Sequence, residues 1–546
     1  MNGKELITRY DALDARKGTY KTHIQEVADF ICPPRANVIS QQSLGAKHTR
    51  QIFDSWGIKC LTVFASGMYG NVMSAAAPWF ELAARDKVVS ARNDVKRWLR
   101  ETTERMHDCL GESNNGMTAP QVFLNLGWAG TGPIFIGAGA KSTLTMTAFS
   151  PAKVAVMEDA DRLVDCVFRV EKMSARRIIT SWKNMASDKV RRAAEKNPQE
   201  QFDVLHAVFP REDVEMFFDR RLREMKAKAG AKNMPYASWY VERDGGNILE
   251  ESGFEEFPYA VPRWEPRDEE EYGYSPGMLA LADIKMLNKM SEEDIKAQQL
   301  IVRPPFVAPQ EMALSTIRLT PGGMTYSKPG AKPEPLYVPD KYKLSLEYEE
   351  QRRTVIAAHF FHDFFAWLGE NDPRRTAFEI AKRAEQAQLH LGSALGRVQK
   401  EYLARLLERT FWIMYRAGYL DAVPDALVGS GLAVQYTGRL AMAMRMSEVQ
   451  ATTEGLGVVQ QVSSFAPEAA DNINIDKAVT GILRRLGVPE DMLATDDEKA
   501  AKRQSRAEAQ KMADLNQQLL DGANAVPLNK AIEKGSPLDM MAEGGG

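Results

Sequence analysis

The stretch Thr354-Val355-Ile356-Ala357-Ala358-His359-Phe360-Phe361-His362-Asp363-Phe364-Phe365-Ala366-Trp367-Leu368 decides how the rest of the chain is read. Ile356, Phe360, Phe364 and Trp367 recur at spacings of four, four and three, and Phe361, Phe365 and Leu368 form an adjacent stripe. The pattern predicts a helix from Leu346 to Leu368 with an apolar arc over half its circumference. One neighbouring helix cannot cover such an arc, so it lies either in the centre of a core or between neighbours in an assembly. Upstream, residues 301 to 344 hold 8 of the chain's 27 prolines and read as a non-helical insert. Before that insert, Pro276 to Leu300 again reads as helix. An irregular module carried between two helices of similar length suggests a tip on a stalk.

Downstream, Gly369 to Arg375 makes a short loop with the basic pair Arg374 and Arg375, and Thr376-Ala377-Phe378-Glu379 fits a capping box. From Thr376 to Tyr419 the apolar spacing stays helical, a span of about 66 Å if unbroken, with Gly392 and Gly396 as places to bend. Towards the N-terminus, helices are expected over 4 to 31, Phe53 to Met73 and 88 to 110. From Phe123 to Arg169 the period shifts towards two. Hairpins are expected at Val154–Met157 with Leu163–Phe168, and at Trp239 to Leu249, where Asp244-Gly245-Gly246-Asn247 tolerates positive φ. The fold class is α+β and mainly helical, without βαβ alternation.

Composition limits the chemistry. The 546 residues carry Lys+Arg 70 against Asp+Glu 73, a net charge of −3, so any contact with DNA must be local. The four cysteines contain no C-x-x-C pair, which argues for a reducing compartment and against a zinc site. No signal peptide and no run of 18 apolar residues is visible, so an intracellular product without a membrane contact is expected. The segment Gly132-Pro133-Ile134-Phe135-Ile136-Gly137-Ala138-Gly139-Ala140-Lys141-Ser142 lacks the lysine directly after the second glycine that a phosphate loop requires, and its interior reads as strand. His359 and His362 lie three apart near Asp363, yet a third ligand is missing and a polar helix face is the better reading. Nine acidic residues fall in the single stretch from Glu250 to Glu271, where a two-metal site needs carboxylates from separate elements. No nucleophile has a base partner, and no cofactor is expected. Two rival readings remain: a nucleotide- or metal-dependent DNA-processing enzyme acting through Lys141 and Glu269, and a helical scaffold that binds only proteins.

The order of several motifs resembles the portal proteins, or head-to-tail connectors, of short-tailed bacteriophages. The resemblance runs through Val27-Ala28-Asp29-Phe30-Ile31-Cys32-Pro33, Phe53-Asp54-Ser55, Ala65-Ser66-Gly67-Met68, Pro78-Trp79-Phe80, Gly130-Thr131-Gly132 and Phe257-Pro258-Tyr259. It continues through Arg263-Trp264, Tyr272-Gly273-Tyr274-Ser275-Pro276-Gly277, Asp283-Ile284-Lys285-Met286-Leu287-Asn288, Arg303-Pro304-Pro305 and the segment from Thr376 to Gly418. It covers roughly residues 20 to 420. It implies a ring of about twelve subunits around a DNA channel at a capsid vertex of the virion, assembled in the host cytoplasm. Each subunit would have a wing (1–275), stem helices (276–300 and 345–368), a clip (301–344), a tunnel loop (369–375), a long wing helix (376–420) and a crown with a C-terminal tail (421–546). The same resemblance assigns Asn371, Arg374 and Arg375 to the channel, and Arg303, Arg318, Tyr326 and Lys328 to the clip. Ile356, Phe360, Phe361, Phe364, Phe365 and Trp367 would pack stems of neighbouring subunits. Implied partners are double-stranded DNA, terminase, capsid and scaffolding proteins, and a tail adaptor; no enzymatic activity is implied.

Overall fold

The computed structural model describes residues 3–40, 43, 45–74, 77–90, 92–139, 142–211, 234–302, 306–307, 334–335, 342–369, 391–463, 465–466, 468, 473–485, 494 and 496–524. These fall into two compact units, Met1–Met444 and Arg445–Gly546.

In the first unit, five antiparallel strands form a meander in chain order: Val154–Glu158, Val164–Ser174, Gln201–Pro210, Tyr236–Glu242 and Ile248–Phe254. Alternation sends Phe168, Leu205, Ala207, Phe209 and Val241 to one face, where Leu6, Tyr10 and Leu13 of helix Gly3–Arg16 cover them. Val156, Val167 and Val208 point the other way, onto Phe257, Tyr259 and Val261. Both expected hairpins are present, the second turning through Gly245 and Gly246 at φ 97° and 75°. A three-stranded sheet pairs Ile134–Ala138 with Leu144–Ala148 and with Tyr259–Ala260, so the glycine segment is strand.

The helical core surrounds the small-residue helix Trp56–Val72, which packs against helix Asn115–Ala129. The latter corrects the reading of period two from Phe123. The helix extends to Ala129, buried on Thr118, Val122, Leu126 and Trp128, and Gly130 at φ 74° ends it. A Cβ on Gly130 would lie 2.2 Å from the Gly273 carbonyl oxygen, so only glycine fits this junction. A strand pair absent from the sequence reading, Phe80–Ala84 with Leu432–Tyr436, ties residues just before the unit boundary into the first unit.

The helix expected over 276–300 spans Pro276–Val302, about 40 Å at 1.5 Å per residue. The helix expected over 346–368 is two helices, Tyr342–His359 and His362–Gly369. Phe361 at φ 52° separates them, a left-handed conformation that costs an aromatic residue about 1–3 kcal/mol. The break lets Phe365 seat on Gly67, where a Cβ would lie 2.4 Å from the Phe365 ring. Residues 391–397 are helical, and the expected bend near Gly392 and Gly396 takes the form of a π-helical turn, Val398–Leu403, before helix Ala404–Arg416. In the second unit, helices Ile475–Arg485 and Asp496–Asn524 are linked by Arg503 on Asp476 at 2.5 Å.

The helix expected over 4–31 breaks at Lys17, between Gly3–Arg16 and Gly18–Ile31. Its buried ammonium donates to the Ala152 and Val154 carbonyls, both at 2.9 Å, and pairs with Asp14. Burial depresses the Lys17 pKa to about 8. The folded state therefore binds fewer protons than the unfolded chain above that pH. Folding stability contributed at this site should rise between about pH 8 and 10, by up to about 1.4 kcal/mol per pH unit. Denaturant melts of wild type and Lys17→Met across that range check it: the difference between them should change with pH, and a constant difference contradicts the assignment.

Candidate functional site: the root of the two-helix arm

Helices Pro276–Val302 and Tyr342–His359 pack along each other and form an arm. Ser275 opens the first: its hydroxyl accepts from the Met278 N–H at 2.9 Å and donates to the Trp128 carbonyl at 3.0 Å, and Pro276 fills the first helical position. Ile284 and Leu287 are buried in the core, but beyond Ser291 no described residue of this helix is. On the opposite helix the change falls at Glu349. Ser291 donates to Glu349 at 2.9 Å, so this bond marks where the arm leaves the core.

A polar network fixes the arm at that level. Asn288 Oδ1 accepts from the Phe53 and Asp54 N–H groups at 2.7 and 3.2 Å, and its amide donates to the Gln51 carbonyl at 2.8 Å. Arg353 bridges Asp54 at 2.9 Å and Glu349 at 3.0 Å, while Trp56 Nε1 donates to the Arg353 carbonyl at 3.0 Å. Arg352 reaches across to Asp283 at 2.9 Å. The motifs Phe53-Asp54-Ser55 and Asp283 to Asn288, 230 residues apart in sequence, thus meet in one joint.

Below the joint, Phe64 is edge-on to Trp264, Phe360 and Phe365, with ring centroids 5.1, 6.4 and 6.1 Å away. Ile356, Phe360 and Phe365 are fully engaged in the subunit's own core. Phe361, Phe364 and Trp367 are half-buried. Interior packing therefore accounts for three of the six aromatic-arc residues and leaves them no surface for a neighbour. His362 lies 5.2 Å from the Trp56 ring with its Nδ1 3.0 Å from Asp363, and His359 is half-buried on the same turn. Asn371, Arg374 and Arg375, and Arg303, Arg318, Tyr326 and Lys328, lie outside the described residues, as do Lys141 and the start of the helix expected from Thr376.

Beside Trp264 stands Arg263, 1% exposed. Its guanidinium pairs with Glu158 and with Glu401 at 2.8 Å, and donates to the Arg162 carbonyl at 2.7 Å; its backbone N–H donates to Glu401 at 2.8 Å. Sequence reasoning flagged Arg263 only as a motif residue and did not pair it with Glu401, because the partner sits on the π-helical turn 138 residues away. The acidic run is likewise divided among distant bases. Glu255 and Glu256 take Arg416 at 2.7 and 2.6 Å, Glu256 takes Arg409 at 2.5 Å, and Glu271 takes Arg16 at 3.2 Å. Burial would raise the Glu256 carboxyl, but hydrogen bonds and charge from Arg416 and Arg409 outweigh it and hold its pKa below the usual range. Behind the sheet, His206 lies 2.7 Å from the Tyr259 hydroxyl and 3.1 Å from Ser238 Oγ, and burial together with Arg169 keeps it neutral.

The charges of this region are committed to joining elements, and the segment once considered for nucleotide binding is a paired strand. The arrangement is that of a mechanical part. The chain belongs to the family of bacteriophage head-to-tail connecting proteins, whose profile matches residues 3–493; these are structural, non-enzymatic connectors. It is 28% identical over 539 residues to the portal protein of Salmonella phage epsilon15, covering 96% of this chain and 95% of that one. It is 27% identical over 531 residues to the probable portal protein of Bordetella phage BPP-1, covering 95% and 94%. A chain from the virion of the native gene transfer agent particle aligns over 85% of this chain and 99% of its own at 12% identity and TM-score 0.34, too loose a likeness to bear on the assignment.

Removing one partner of the buried triad leaves a charge unmatched. Glu401→Gln should destabilise the first unit by about 3–5 kcal/mol, measured by denaturant unfolding, whereas Lys285→Ala, whose pair with Glu26 is exposed on both sides, should cost about 1 kcal/mol or less. Equal effects would contradict the ranking.

Proposed function

We propose that the chain is the portal subunit of its phage, closing with about eleven further copies into a ring around a DNA channel at one capsid vertex. Family membership carries the head-to-tail role. What supports the assembled form is the arm: past Ser291 its helices expose Ile295 and Leu300, and nearer the root Leu279 and Met286. Leu279 and Met286 are seven apart, two turns along one helix face. Apolar side chains of this kind stabilise a contact by roughly 1.5–3 kcal/mol each when buried by a neighbour. In this reading Phe361, Phe364 and Trp367 add to the stem contact.

The remaining parts follow the same reading. Residues 1–275 serve as the wing, 276–300 and 345–368 as the stem, 301–344 as the clip, 376–420 as the long wing helix, and the chain beyond about 421 as the crown. The clip, with Arg303, Arg318, Tyr326 and Lys328, docks terminase during packaging and the tail adaptor afterwards. Asn371, Arg374 and Arg375 face the channel. Capsid and scaffolding proteins meet the ring at the vertex, and assembly takes place in the host cytoplasm. A channel in which duplex DNA slides cannot hold phosphates tightly, because every neutralised phosphate adds to affinity. A net charge of −3 per subunit with isolated basic rings suits that task.

Mass photometry of the purified protein should give a single species near twelve subunits. Leu279→Asp with Met286→Asp should deplete it while shifting subunit unfolding by no more than about 0.5 kcal/mol, since both residues are exposed. A stable monomer in the wild type contradicts the reading. Arg374→Ala with Arg375→Ala should leave the ring intact and alter DNA packaging or retention; loss of the ring would place the pair at a subunit contact instead.

A further inference from the structure

The helical hairpin between the second and third strands of the meander carries a concentration of positive charge that the fold does not need. Residues 172 to 196 hold eight basic side chains against Asp188 and Glu195, in a chain whose net charge is −3. Helices Ala175–Trp182 and Asp188–Lys196 turn Ala175, Ile178, Val190 and Ala193 onto Phe202, Val204 and Leu249 of the sheet. Their opposite faces are cationic and exposed. Three of the cations answer to neighbours: Arg177 to Glu171, Lys189 to Asp244 and Arg191 to Asp188. Lys172 lies on the strand before the hairpin, and the other four, Arg176, Lys183, Arg192 and Lys196, have no ion-pair partner among the described residues. Arg192 and Lys196 stand one turn apart on the second helix, Arg176 lies in the first turn of the other, and Lys183 follows that helix's end at φ 30°. Arg192 and Lys196 repel each other slightly at this spacing, and although the helix end favours Lys196, no carboxylate among the described residues pairs with any of the four, which leaves them open to an external anion.

Resting on the reading of residues 1–275 as the wing, we propose that this face binds the phosphate backbone of duplex DNA outside the channel of the ring. Between the cations the exposed positions are Thr180, Ser181, Asn184 and Met185. A protein partner would need an apolar or aromatic centre, and a single strand would need an exposed ring on which to stack its bases. Met185 alone supplies neither. Trp182 is engaged elsewhere: its indole N–H donates to Glu250 at 2.7 Å and its ring packs on Tyr240 at 5.0 Å. What is left is unpaired, mobile-tipped charge on a rigid base, which suits sequence-independent contact with phosphates. Outside a channel no sliding is required, so affinity there carries no friction penalty.

Closed circular duplex DNA tests this directly, because a circle cannot be threaded through a closed ring and its retention reads outer surfaces alone. The full-length protein should retain it with an affinity that falls steeply between about 50 and 200 mM salt. The variant Arg176→Gln/Lys183→Gln/Arg192→Gln/Lys196→Gln should bind at least about tenfold more weakly, with a salt slope smaller by about three to four. Exchanging the same four positions between Arg and Lys should preserve binding, which separates charge from fold. No retention by the wild type, or equal affinity and slope in the glutamine variant, overturns the proposal. Loss of poly-glutamate binding in that variant with DNA binding unchanged also overturns it, in favour of an acidic protein partner.

Discussion

One buried guanidinium joins the halves of the first unit. Arg263 lies between Glu158, at the end of the first meander strand, and Glu401, on the π-helical turn, and its neighbours Thr131 and Trp264 connect it to the glycine junction and the aromatic nest. Two carboxylates and the carbonyls of Arg162 and Glu271 around one cation replace its hydration, which is the condition under which a buried charge is tolerated. The arrangement is directional as well as stabilising. Only one register of the helical segment places Glu401 against both the side chain and the backbone N–H of Arg263, and three successive residues there, Glu401, Tyr402 and Leu403, are buried. The π turn is the local adjustment that makes this possible.

The meander is covered on both faces, the aromatic nest around Phe64 lies in the helical core, and the network of Asp54, Asn288, Glu349 and Arg353 holds the arm where it leaves the core. Phe361 holds a conformation that its side chain disfavours, at the point where the chain turns from the arm back towards the core. Packing of Phe360 and Phe365 on either side, each in contact with Phe64, offsets that strain. For a structural head-to-tail connector, joints of this kind take the place of a reactive centre.

Much of this was legible in the sequence. The long helix from Pro276, both hairpins and the strand character of Ile134–Ala138 follow from periodicity and turn chemistry. Strand Gln201–Pro210 was not legible, because a strand buried on both faces loses its alternation: from Val204 to Phe209 every residue is buried. The pairing of Phe80–Ala84 with Leu432–Tyr436 was hidden by its sequence separation of about 350 residues. Lys17 reads as a helix-surface residue until its carbonyl partners are seen. The stem aromatics were recognised as apolar, but periodicity could not tell the subunit's own core from a neighbour's. Motif order was informative because the quoted segments are the ones that meet at joints: Phe53-Asp54 with Asn288, Gly130 with Gly273, and Arg263 with Glu401.

The account stands on the idea that copies of this chain close around an open axis. Electron cryo-microscopy of the purified, full-length protein measures it most directly. Class averages viewed down the axis should show about twelve repeats with a continuous central opening that admits duplex DNA; compact single particles, or a ring plugged by folded protein at every level, would contradict it.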